Sequence, residues 1–345
     1  MELTRIPLGN TVFEGENNAY LVEGEVTTLV DVGAATENVR ADLEIGLDDA
    51  GVAVSEIDRI LLTHWHSDHC GLAGELQAES GATVYAHEDD AAVIAGDDDA
   101  IADLHDLRDR RFREWGIPQD KLDELLTVQS DFEDVAGDPA DVETLADGDR
   151  IVAGDAELET LHLPGHAAGH VAFAFDRAAA DADGDSDGDG DGTPRSEIFV
   201  GDVILPEYTP NVGGADLRLD EPLERYVESL DRLAARDFDR AWPGHRDPID
   251  DPSARAQVIR EHHLDRTRRV IETLREHGPA DAWTVSAHLF GELEHIHILH
   301  GPGEAYAHLD HLDRVGAVDR DGDEYRLADP GADLDVEALF PNTKY

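Results

Sequence analysis

Apolar positions in the first third of the chain fall into short runs separated by turn residues, with one amphipathic stretch among them. "NAYLVEG" and "TTLVDVG" read as two strands divided by Gly24 and Glu25. "ENVRADLEIGLDDAG" has helical spacing and stops at Gly51. "IDRILLTHWH" predicts a buried strand, "GLAGELQAESG" a short helix and "ATVYAHE" another strand. From Asp89 to about Asp131 the pattern becomes helical and highly charged, as in a helical insertion or lid (89–131).

Strand patterns return with "AELETLHL", "HVAFAFD" and "SEIFVGD". The last two are separated by an acidic Gly/Asp loop, 176–196, whose alternation resembles the start of a calcium loop. It lacks the glutamate that closes an EF-hand loop, so a solvated hairpin loop is expected. "LERYVESLDRLAARD" predicts a helix, "FDRAWPGH" a strand and "SARAQVIREHHLDRTRRVIETLREHG" a long helix. Past Gly278, "TVSAHLF", "PGEAYAHLDHLDRVG" and "AVDRDGDEYRLAD" follow the order helix, helix, hairpin, as in the second half of a winged helix. The expected organisation is a domain over 1–275 and a small winged-helix-like domain over 279–345.

Charge alters this picture. The 345 residues carry 79 acidic against 27 basic side chains, a formal net charge of −52, with lysine only at 121 and 344. Such self-repulsion works against a compact state. At about 1 M salt the Debye length is roughly 3 Å and most of it is screened, so the composition reads as a halophilic adaptation to a salt-rich cytosol. No run of apolar residues is long enough to span a membrane, and the first residues lack the pattern of a signal peptide. Cys70 is the only cysteine, which suits a reducing, cytoplasmic setting.

Four segments then share one grammar, a strand followed by metal-type ligands in the next loop: "RILLTHWHSDH", "LETLHLPGH", "EIFVGD" and "DRAWPGH". Strands of one α/β architecture would bring these ends to one sheet edge. The candidates are His64, His66, Asp68, His69, His166, Asp202 and His245. Seven ligands exceed one tetrahedral zinc and suit two divalent metal ions with a bridging carboxylate and hydroxide. Imidazole with carboxylate favours Zn²⁺, with Fe or Mn chemically open. His162, His170, His288 and His308 are read as partly buried or surface residues. No organic-cofactor site is predicted, and "GNTVFEGEN" lacks the lysine of a phosphate-binding loop.

In order, "NNAYLVEG…TLVDVG", "THWHSDH", "LPGHAAGH", "FVGD" and "WPGH" resemble the metallo-β-lactamase superfamily over most of residues 1–275. The resemblance implies an αββα sandwich with a dinuclear site on one edge. It implies that His64, His66 and His166 hold one metal, that Asp68, His69 and His245 hold the other, and that Asp202 bridges them. It also gives Asp31 the role of supporting the ligand loop. Cys70 is read as a small residue packed behind that loop.

The expected chemistry is hydrolysis, with Asp68 as base or proton shuttle. Asp202 fits glyoxalase II-like (hydroxyacylglutathione hydrolase-like) thioester or ester hydrolysis better than lactam cleavage. The alternatives are cleavage of single-stranded RNA, by resemblance of "AYAHLDHLDRVGAV" to the tail of the beta-lactamase-like protein 2 group, and a nucleic-acid-binding regulator with a metal-dependent sensor domain. Residues 279–345 hold fourteen acidic and four basic side chains, so packing or protein contact is the expected use of the tail rather than binding DNA. The expected partner is a small ester or thioester, or single-stranded RNA, with a homo-oligomer left open. "EYTPNVGGADLRLDEP" is expected to line the pocket, with Tyr208 either facing an oxyanion or in a plain loop.

Overall fold

The computed structural model describes residues 1–10, 15–125, 136–177 and 195–341. Six strands, β1 (Glu2–Leu8), β2 (Asn17–Glu23), β3 (Thr28–Val30), β4 (Arg59–Leu61), β5 (Thr83–His87) and β6 (Val142–Leu145), form one mixed sheet in sequence order. The first three are antiparallel and the last three join in parallel. A second sheet runs β11 (Arg240–Pro243), β10 (Arg195–Gly201), β9 (Val171–Arg177), β8 (Ala156–His162), β7 (Arg150–Ala153).

Three apolar layers stack these sheets. Tyr20, Val30 and Leu61 of the first sheet meet Leu158, Phe173 and Phe199 of the second. On the outer face of the first sheet lie α1 (Glu37–Ala50), closed by Gly51 in the left-handed conformation, and α3 (Ala73–Ser80). On the outer face of the second lie α7 (Pro222–Ala235) and α8 (Pro252–His277). The result is an αββα sandwich. Periodicity did not reveal β1, β6 or β7, which are short or half-exposed. The run "IDRILLTHWH" gives only the three residues of β4, because the chain leaves the ladder to present its histidines.

The charged segment after β5 forms α4 (Glu88–Ile94), α5 (Asp98–Glu114) and helical residues 119–125, here α6. Its end at Asp131 lies outside the described residues, as does nearly all of the acidic loop (178–194). Phe112, Trp115, Ile117 and Leu125 of this segment are buried against Val285, Ile298 and Leu309 near the C-terminus, and Val270 and Leu274 of α8 join the same cluster. The C-terminal segment has the order α9 (Ala282–Phe290), α10 (His297–Arg314), β12 (Val318–Asp321), β13 (Glu324–Leu327), followed by the short α11 (Val336–Leu339). The β12–β13 ladder is its only sheet among the described residues.

Candidate metal centre

The ends of β4, β8, β10 and β11 lie at one edge of the sandwich, and the loops after them bring all seven candidate ligands together. His64 and His66 come from the stretch leaving β4, while Asp68 and His69 sit on the single turn α2 (Ser67–Cys70). His166 follows β8, Asp202 follows β10 and His245 follows β11. Gly244 lets the last loop close in, since a Cβ there would stand 2.4 Å from Asp202 Oδ1.

In the first group, His66 Nδ1 lies 2.9 Å from His64 Nε2 and 3.0 Å from His166 Nε2. The opposite ring nitrogens have outward partners. Thr63 Oγ1 donates to Asp31 Oδ2 and is left to accept from His64 Nδ1 at 3.0 Å. The carbonyls of Ala215 and Asn211 accept from His66 Nε2 (3.1 Å) and His166 Nδ1 (3.0 Å). With the N–H groups outward, three lone pairs converge, an arrangement that calls for a cation.

In the second group, Asp31 Oδ2 accepts from His69 Nδ1 at 2.9 Å and the Gly15 carbonyl accepts from His245 Nδ1 at 2.8 Å. Their Nε2 atoms, and Asp202 Oδ1, are buried without hydrogen-bond partners. His245 Nε2 lies 3.5 Å from Asp68 Oδ2. Asp202 lies between the groups, its oxygens 3.3 Å from His245 Nε2, 3.6 Å from His69 Nε2 and 3.8 Å from His166 Nε2. Orphaned, buried, converging donors of this type fit divalent metal ions.

Electrostatics divides the halves in the same way. Burial and then His69 hold His64 well below its ordinary value, and burial with His166 lowers His66 to about 4. Burial also opposes charge on His245, but Asp202 and Asp68 outweigh it and push the ring up to about 9. His69 is raised in the same way, against burial, by Asp202, Asp68 and Asp31. Burial would raise Asp202, yet His245 and His69 keep it well below the carboxylate range. A bound cation would supply the positive charge that these carboxylates favour on His69 and His245.

Several supporting residues carry no local sequence signal. Asp90 and Asp216, both buried, are bridged by Arg218 at 2.6 Å each. Asp90 accepts from the backbone N–H groups of Trp65 and Gly169, and Asp216 from the Trp65 indole and the Ala168 N–H, so the pair ties the two histidine loops to one another. Burial lifts Asp90 to about 6 even against Arg218. Asn17 donates to the carboxylate of Asp68, and Asn18 donates to the carbonyls of Pro243 and Arg246 beside His245. The motif "NNAY" contained both asparagines without disclosing these roles.

Of the histidines set aside from the site, His288 is exposed and His162 half-buried. His170 and His308 are fully buried. His170 packs against His64 and its Nε2 accepts from the Asp202 N–H, which makes it a support of the site. Cys70 donates to the Trp65 carbonyl, and burial together with Asp31 pushes its thiol up, as expected of a packing residue. Tyr208 is half-exposed and stacks with Arg246, next to His245.

An αββα sandwich with buried His and Asp clusters at one edge defines a scaffold able to hold metal ions. The profile of the "Metallo-beta-lactamase superfamily" matches residues 12–180, and the chain belongs to that superfamily. The probable metallo-hydrolase YqjP of Bacillus subtilis is 26% identical, over 88% of this chain and 90% of its own length. A hydroxyacylglutathione hydrolase of Cereibacter sphaeroides is 33% identical, over 46% of this chain and 44% of its own. The crystal structure of a metallo-beta-lactamase family protein from Thermus thermophilus superposes with a TM-score of 0.75 at 29% identity, covering 94% of this chain and 98% of that one. The chain is therefore a metallo-hydrolase of this superfamily. No helix among the described residues is long and apolar enough to cross a membrane.

Proposed function

We propose that the chain hydrolyses a small thioester or ester at a dinuclear centre, most simply of zinc. The observation that carries this reading is Asp202, whose carboxylate faces ring nitrogens of both ligand groups. In the assignment, His64, His66 and His166 hold one ion, Asp68, His69 and His245 the other, and Asp202 both. When bound, the ions supply Lewis acidity for the substrate carbonyl and lower the pKa of water towards neutrality.

The chain's own groups do the rest. Asp68 Oδ2 is held by Asn17 Nδ2 at 3.1 Å and points into the group, placed to take the proton of the attacking water and return it to the departing sulfur or oxygen. As the new C–O bond forms the C–S or C–O bond breaks, and the products are an acid and a thiol or alcohol. Asp31, Asn211 and Ala215 fix the ring orientations.

The hydroxyacylglutathione hydrolase and the thioesterase pkgB of Emericella nidulans, 23% identical over 70% of this chain, support a thioester. We read 279–345 as a winged-helix-like unit used for packing, because its helices share a core with α5, α6 and α8. Its excess of acidic residues disfavours phosphate binding. The net charge fits work in a salt-rich cytoplasm.

The test is a panel of acylthioesters, simple esters, a lactam and short single-stranded RNAs. It is run in molar KCl after chelation and refilling with Zn²⁺, Mn²⁺ or Fe²⁺. Metal-dependent thiol release is the expected result. Cleavage of RNA alone would replace this reading with phosphodiester hydrolysis.

A further inference from the structure

Below the metal centre, α10 contributes a carboxylate that touches none of the seven ligands. Glu304 is 5% exposed, and its Oε2 accepts from Asn211 Nδ2 at 3.2 Å and from the Val212 N–H at 3.3 Å. Asn211 Nδ2 also donates to the His300 carbonyl, and Asn211 Oδ1 accepts from the Gly214 N–H. This closes a short loop whose outward carbonyls, those of Asn211 and Ala215, are the partners of His166 Nδ1 and His66 Nε2.

The backbones fit equally closely. A Cβ on Gly303 would stand 2.3 Å from Gly214 Cα, and one on Gly213, at φ +84°, would stand 2.6 Å from the Gly303 carbonyl oxygen. At Gly213, Gly214 and Gly303 the loop and α10 therefore meet backbone to backbone. From these hydrogen bonds and this contact we infer that Glu304 is a positioning residue for the His64, His66 and His166 half of the centre, acting through Asn211.

His263, Glu304 and His308 also bring three donors within reach of one another. Arg266 Nη1, however, lies 3.3 Å from Glu304 Oε1 and already supplies the countercharge. A divalent ion there would be a second buried positive charge beside the guanidinium. The cluster anchors Glu304 from behind while its other oxygen holds the loop.

The inference rests on reading His64, His66 and His166 as the ligands of one ion, so its test needs a signal that does not depend on metal. Full-length wild type, Glu304→Ala, Glu304→Gln and Asn211→Ala are compared in molar KCl. Zn²⁺ affinity is measured against a chromophoric chelator, and imidazole ring N–H signals are recorded on the metal-free chain, with His166→Ala used to assign that ring. In Glu304→Ala one of the two ions should bind about 10- to 100-fold more weakly, the range for losing a group that orients a ligand, with the other unchanged. The His166 Nδ1–H signal should shift or exchange away. Glu304→Gln keeps an accepting oxygen and should restore most of both.

Wild-type affinities together with an unmoved His166 signal in Glu304→Ala would overturn the assignment. If wild type binds no ions but the His166 signal still responds to Glu304, the positioning stands and the metal reading falls. Should Glu304→Ala fail to fold, Asn211→Ala decides by the same two measurements, because it cuts the link to the loop and leaves the Glu304–Arg266 pair intact.

Discussion

Asp31 Oδ2 accepts from His69 Nδ1 at 2.9 Å and from Thr63 Oγ1 at 2.8 Å, while Oδ1 accepts the Thr63 N–H at 2.8 Å. One carboxylate at the end of β3 therefore orients a ligand of the second group directly and, through Thr63, the His64 ring of the first. It is held there with φ +54°, a backbone conformation uncommon outside glycine.

Asp31→Ala should leave the buried Thr63 N–H without a partner, at a cost of about 1–3 kcal/mol, and free the His69 ring. Asp31→Asn keeps the volume but turns an N–H₂ towards a donor. Under the proposed assignment, both variants should weaken the ion given to Asp68, His69 and His245 by about 10- to 100-fold, with Asp31→Ala losing more stability. Chelator competition and urea unfolding measure the two effects separately. An Asp31→Asn chain that keeps wild-type affinity at both ions would contradict this role.

Asp202 and Asp68 can be separated by what each touches. Asp202 faces nitrogens of both groups, whereas Asp68 faces only His69 and His245. Asp202→Ala should reduce metal content from near two towards one or none per chain, and turnover with it. Asp68→Asn should keep more metal and lose turnover out of proportion, by about 100-fold or more, if it moves the proton. Elemental analysis and turnover on the same preparations decide the matter. Two retained metals and near-normal turnover in Asp202→Ala would require another bridging group.

Much of the fold, and the set of residues that gather in the candidate site, was legible because the signals are local. "HWHSDH" places four donors within six residues, and the two "PGH" turns repeat one device at separate strand ends. The support beneath them is tertiary. Asp90, Asp216 and Glu304 are three among 79 acidic residues, and nothing adjacent in the chain marks them as buried. Their roles appear only when Arg218 lies between two carboxylates and when α10 is brought under residues 211–215. The four-residue spacing of Glu304 and His308 was the one available hint that both lie on a single helix face. The edge strands β6 and β7 escaped because each offers only four residues, and in β7 the outward Val152 blurs the alternation, too short a pattern to separate from a loop.

Acid should act on the packing between α8 and α10 before it reaches most surface carboxylates. His263 is fully buried there, with Nδ1 3.3 Å from His308 Nε2 and 3.5 Å from Glu304 Oε1, and with His262, Arg266 and the Tyr226 ring of α7 also facing it. Burial, only partly offset by Glu304, lowers its pKa from 6.5 to about 3. Below 6.5 the unfolded chain takes up a proton that the folded chain refuses until about pH 3. The unfolded state then binds more protons, so stability is lost as pH falls through this window and regained as it rises. One such proton contributes a slope of about 1.4 kcal/mol per pH unit. His263→Asn has no proton to take up, so the stability of the variant should fall less steeply between pH 6.5 and 4.5. Urea unfolding of the chelated proteins in molar KCl, at several pH values across that range, reads the slope directly. Parallel slopes for wild type and variant would show that His263 already carries its proton in the folded chain.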